Sequence, residues 1–279
     1  AKNGGGTLAL GSGGTISGTS GAGVLLSSAN SVVLRNVVIQ GNDGDGIEAT
    51  TVAGLTLDNA LVTGHADSHG IHGTGVSGLN VIHSDLGQNA TLAGAVEAAD
   101  IWNLRFEQLS GTALVEHSLI HHSQETVFGV VNSSGALNLT ISNTNITDTG
   151  TGVGGANGLQ LNASGSASMS VSLQNDSIAR TRSRGVTAST ALASGASMDL
   201  TVNGSGFADN TTAGLELVHG SGGTASFSFT VSAGGTMPSL ISSMMRSGFS
   251  DRGLSEVSTT RSLNRAATAP MPRSAPATS

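Results

Sequence analysis

The sequence has 279 residues, 41 of them glycine, with 10% charged and 3% aromatic side chains and a hydrophobic share of 37%. That balance argues against a helical protein and leaves a thin, repetitive core of small and β-branched residues. The absence of cysteine excludes a disulfide framework and any thiolate metal site. The net charge of −7 understates the acidity of the body, because Arg246, Arg252, Arg261, Arg265 and Arg273 gather near the end against only Asp251 and Glu256. A body that acidic is a poor partner for nucleic acid.

No apolar run reaches the length of roughly 18 residues that a membrane-spanning helix needs, so no membrane span is expected. With six Phe, one Trp and no Tyr, the aromatic girdles of a membrane β-barrel are also missing. The chain opens at Ala1 with no basic-then-apolar leader, so it is expected to be either processed or excised from something longer, with a larger multidomain chain as the expected setting.

Residues 1–22 place Leu8, Leu10 and Ile16 between glycine clusters and suit a first, incomplete turn of a repeat. From Gly23 the register is regular. The segments VVLRN (32–36), LTLDN (55–59), LNVIH (79–83), LRFEQ (104–108), LTISN (139–143) and VSLQN (171–175) superpose, each with apolar residues two apart. A glycine followed by an apolar residue is a second marker, at Gly23-Val24, Gly46-Ile47, Gly70-Ile71, Gly129-Val130, Gly158-Leu159, Gly185-Val186 and Gly214-Leu215, with Gly94-Ala95-Val96 a looser member. No 3.6-residue periodicity competes with this alternation.

The pattern predicts an all-β chain, a right-handed parallel β-helix of roughly eight to ten coils over 1–235, with two short strands and two or three turns per coil. The last members of the superposed segments, Asn36, Asn59, His83, Gln108, Asn143 and Asn175, are expected to stack at one turn as a structural ladder. Residues 110–127 read as an excursion from the body, an edge strand or a loop. The grouped Leu240, Ile241, Met244 and Met245 predict a cap or short helix over 236–257, and 258–279 read as a disordered tail or linker.

Chemistry concentrates on two neighbouring coils, GNDGDGIE (41–48) and HADSHGIH (65–72). With Ile47 and Ile71 inward, Glu48 and His72 point outward one coil apart, with Glu97 a candidate for the next, and Asp45 and His69 are neighbours across the glycine. Carboxylates and imidazoles so placed can do acid/base work or bind a divalent ion, which makes Asp43, Asp45, Glu48, His69 and His72 the candidate catalytic residues. NDGDG also makes calcium a candidate ion, although no Glu closes an EF-hand set, and turn chemistry explains Asn-Asp and Asp-Gly without a metal. His117, His121 and His122, with Glu116 or Glu125, read as a solvated cluster, since adjacent residues of a strand face opposite ways. Trp102 and Phe106 read as core fillers.

GLTLDNALVTG (54–64), SSGALNLTISNTNITD (133–148) and NGLQLNASGSASMSVSLQNDSI (157–178) resemble the β-helical repeat segments of large secreted or surface-displayed bacterial proteins, adhesin-like and autotransporter-passenger-like. The resemblance implies an extracellular or cell-surface location and attachment to polysaccharide or a cell-surface glycan. A lesser resemblance is to polygalacturonases, β-helical hydrolases with an Asp pair and a Gly-His-Gly. Here Gly44 separates Asp43 from Asp45, Ser68-His69-Gly70 keeps only His-Gly, and Glu107 stands where the lysine following Arg105 would be sought. The expected function is therefore a non-catalytic surface stalk or binding module, with a polysaccharide hydrolase as the alternative, preferred over a lyase.

Overall fold

The computed structural model describes residues 11–65, 68–89, 101–149, 156–192, 194–220, 224, 226–232 and 257–258. All regular elements among them are strands, arranged as three parallel sheets of eight, eight and nine strands. Each coil contributes one strand to each sheet, so the molecule is a parallel β-helix with three strands per coil, one more than the sequence pattern suggested. The first sheet runs from Gly14–Ser17 to Gly206–Ala208, the second from Val24–Ser27 to Ala213–His219, and the third from Asn30–Arg35 to Val257–Ser258.

Inward residues form columns. Ile39, Val62, Leu86 and Ile120 are in register in the first sheet, Ile47, Ile71, Leu104 and Phe128 in the second, and Leu55, Leu79, Ala113 and Leu139 in the third; every one of these twelve is fully buried. At roughly 1.5–3 kcal/mol per buried large aliphatic side chain, this lumen is what a single coil cannot supply and a stack can.

The one-residue corner between the third and first sheets is a column of left-handed residues. Asn36, Asn59, His83, His117, Asn143 and Asn175 follow strands that pair in register, with φ between 48° and 56°, and Gly204 takes the next place at 66°. Asparagine and glycine are the residues that tolerate this backbone. Asn59 Nδ2 donates to Asn36 Oδ1 at 2.8 Å, and the His83 and His117 rings stack at 5.4 Å with planes 6° apart.

Gln108 is not in this column. LRFEQ belongs to the second sheet, where Leu104 pairs with Ile71 and Phe128, and Gln108 turns the corner between the second and third sheets. The ladder position falls to His117, after the strand Ser110–Glu116. The supposed excursion over 110–127 is thus ordinary coil, with Ser110–Glu116 in the third sheet and Leu119–Ser123 in the first. The glycine marker misled for a related reason. Its register-equivalent is Asn103-Leu104 in the fourth coil and Val127-Phe128 in the fifth, and Gly129 lies two residues further on, opposite Arg105. Of the expected cap and tail, only Val257–Ser258 are described, as a short strand parallel to Ser226–Ser232; the rest, like Gly94-Ala95-Val96 and Glu97, lies outside the described residues.

Behind the left-handed corner runs a second column that the sequence reading did not single out. The hydroxyls of Ser84, Ser118 and Thr144, the carboxylate of Asp176 and the hydroxyl of Ser205 accept the amides of Ala60, Ser84, Ser118, Thr144 and Asp176 in turn, at 2.9–3.4 Å. Each side chain caps a buried N–H of the coil before it.

Candidate functional site

The candidate residues sit where the first-to-second-sheet turn enters the second sheet. Gly46 and Gly70 carry the backbone there, where an added Cβ would run into the next coil. The bonds from Gly46 N to His69 O and from Ile47 N to Gly70 O, both 2.9 Å, lock the turns together. The register then pairs Glu48 with His72, and His72 with Arg105.

Asp45, His69 and His72 converge: one ring nitrogen of each imidazole and one carboxylate oxygen lie within 4.8 Å of one another, all three residues half-buried. Asp45 Oδ1 accepts the His69 amide at 2.8 Å, and Oδ2 stands 3.4 Å from His72 Nδ1. The two imidazoles meet edge to face at 5.0 Å. The Trp102 backbone addresses His69 twice, its N–H 3.0 Å and its carbonyl oxygen 3.3 Å from Nδ1. Either neutral tautomer of His69 therefore has a partner.

Asp43 and Glu48 are exposed and lie outside this group. Glu48 is the neighbour of His72 in the sheet, whereas the Asp43 amide bonds back to Thr19 O at 2.9 Å. The NDGDG turn thus does not gather its two aspartates around one centre. Asp67 and Glu97 lie outside the described residues.

The electrostatics divide the three groups. Burial pushes the His69 imidazole down to about 4, against the pull of the Asp45 carboxylate, so it is neutral at pH 7. The Asp45 carboxylate raises His72, with burial opposing. Burial works to raise Asp45 itself, but His72 and His69 outweigh it and hold the carboxyl below its ordinary value. An ionised carboxylate, a neutral imidazole and a more basic one are the ingredients of proton transfer or of metal ligation.

Three further residues complete the surroundings. Arg105 bonds Glu107 Oε1 through Nη2 at 2.9 Å and lies 5.1 Å from the Trp102 ring centroid. Trp102 is only 6% exposed, but it lies over Gly129, which pairs with outward Arg105. It therefore packs on the outer side of the sheet and not in the lumen, where Phe106 is found. The signal that could have found this is Gly129 itself, a glycine inside a strand that marks a close approach.

The histidines after the strand Ser110–Glu116 are not a detached cluster. His121 Nε2 contacts Asp85 Oδ1 at 2.8 Å, and the left-handed backbone of His122, φ 51°, brings the two adjacent rings to 4.8 Å. Beside them, His83, Asp85, His117 and Asn145 line an open groove of about 300 Å³.

A family described as right handed beta helix region matches residues 3–168, more than half of the sequence. The chain belongs to the right-handed β-helix family. Among solved structures it is similar to a protein titled "Crystal structure of pectate lyase Pel9A", at 14% identity and a TM-score of 0.51, over 76% of this chain and 55% of that one. The likeness is one of fold, and this β-helix spans about half the length of that structure. Comparison with curated proteins gives no match at all.

Proposed function

We propose that this β-helix is a glycan-binding module of an extracellular or cell-surface protein, part of a larger chain, with the outer face of its second sheet as the binding face. One observation carries the reading. Glu48, His72, Arg105, Gln160, Thr187 and Glu216 follow one another outward along the sheet, interrupted only by Gly129. The coil spacing of about 4.8 Å sets acceptors and donors along a line, as a hydroxyl-rich polymer requires. Arg105, held against the Trp102 ring, adds a cationic donor at its middle.

The fold-level likeness to a pectate lyase supports polysaccharide as the ligand class by analogy only. Affinity electrophoresis through gels containing neutral or uronic-acid polysaccharides tests the reading. At least one glycan is expected to retard the protein, and Arg105→Ala is expected to weaken that retardation about fivefold or more. Absence of retardation by any glycan would refute binding. Release of new chain ends from those polysaccharides, abolished by Asp45→Asn, would replace the binding module by the hydrolase that the Asp45–His72 contact also permits.

A further inference from the structure

We propose that Asp45, His69 and His72 form a binding site for a divalent transition metal of the zinc class, with two imidazoles and one carboxylate as ligands. This goes beyond the glycan reading and does not depend on it.

The argument begins with distances. Zinc bonds of 2.0–2.1 Å in a tetrahedral arrangement place neighbouring ligand atoms about 3.3 Å apart. Asp45 Oδ2 and His72 Nδ1 stand 3.4 Å apart, long for a charge-assisted hydrogen bond and right for one edge of such a tetrahedron. The third ligand atom is within 4.8 Å of both, so closure onto an ion requires movement of about 1.5 Å or less at one side chain. Among the described residues no other trio of histidine and acidic side chains gathers in this way.

The surrounding bonds are those that orient metal ligands. Oδ1 of Asp45 is fixed by the His69 amide at 2.8 Å, leaving Oδ2 for an ion. His69 Nδ1 has the Trp102 N–H at 3.0 Å and the Trp102 carbonyl oxygen at 3.3 Å; in the tautomer that donates to the carbonyl, Nε2 is the free ligand atom, the usual arrangement behind a ligating imidazole. The nearest cation, Arg105, is turned onto Glu107.

Ligand chemistry selects the ion. Imidazole nitrogens suit zinc, copper, nickel or iron, whereas calcium seeks six to eight oxygens. Three protein ligands in a half-exposed setting leave a coordination position open to water or to a ligand hydroxyl.

The test is calorimetric titration of metal-stripped protein with zinc, in the absence of any glycan, followed by X-ray absorption on the loaded protein. One ion per chain is expected at micromolar affinity or tighter, with a shell containing two imidazoles. Affinity is expected to fall at least tenfold in His69→Ala and in His72→Gln, and to stay unchanged in Glu48→Gln and His121→Gln. Failure of the parent protein to bind zinc saturably, an all-oxygen shell, or full affinity retained by His69→Ala and His72→Gln would overturn it. The absorption spectrum of the parent protein decides the matter even if a variant does not fold, and a failed titration leaves the gel assay for glycan binding to be judged separately.

Discussion

Asp176 is the most consequential single residue outside the candidate site. Its carboxylate accepts the amides of Thr144 at 2.9 Å and Gln174 at 2.8 Å, and the Ser205 hydroxyl at 3.3 Å, in a corner where the residue is 3% exposed. Burial nevertheless raises the carboxyl to about 6, against those bonds. The unfolded chain gives up this proton near pH 4 and the folded chain holds it to about 6. The protonated group therefore favours the fold, and that contribution is lost as pH rises from about 4 to 6. The magnitude is of order 2–3 kcal/mol. Asp176→Asn cannot titrate, so the stability difference between parent and variant, measured in urea, should be larger at pH 4 than at pH 7.5. A difference that does not change with pH would show that Asp176 is not perturbed.

At the scale of the element, the left-handed corner decides which side chains stack. Asn59, at φ 55° and bonded to Asn36, should be costly to replace by alanine. The lost bond and the left-handed backbone together cost about 1–3 kcal/mol. Asn59→Gly keeps the backbone and should cost less, as Gly204 already does this work further along. Equal destabilisation by the two substitutions in urea unfolding would mean that backbone conformation is not what the position selects.

This corner also shows what the sequence made legible. Asparagine after an alternating strand identified it in four of its places, Asn36, Asn59, Asn143 and Asn175, because that backbone admits few residue types, and the strand alternation alone placed His83. Gln108 was drawn in because second- and third-sheet strands share the same two-residue alternation, and with Asn103 in the glycine's place nothing local separated LRFEQ from ALVEH (113–117). The meeting of Asp45, His69 and His72 was readable, since a turn of fixed geometry ahead of Ile47 and Ile71 repeats its side-chain directions. The roles of Trp102 and Arg105 were not, because they depend on the register of the fourth coil, where Asn103 and not glycine precedes the inward Leu104.

The whole molecule is a stack in which each coil is held by its two neighbours, and stability is expected to be graded along it. In the first coil Ile16, Val24, Leu26, Val32 and Leu34 are only partly buried, and Leu25 is 67% exposed, whereas the lumen residues of the third to fifth coils are fully buried. Amide exchange should therefore be slowest in Ser77–Ile82, Ser110–Glu116 and Ala136–Ser142 and fastest in Val24–Ser27 and Asn30–Arg35. Uniform protection from end to end would instead indicate a single cooperative unit.

The column of Ser84, Ser118, Thr144, Asp176 and Ser205 has a direction. At every step the amide belongs to the earlier coil and the acceptor to the later one. A ribosome delivers this chain from the same end. Each newly made corner therefore leaves the exit tunnel with an uncapped amide, and it is completed only when the next coil, some two to three dozen residues later, has been synthesised and laid down on it.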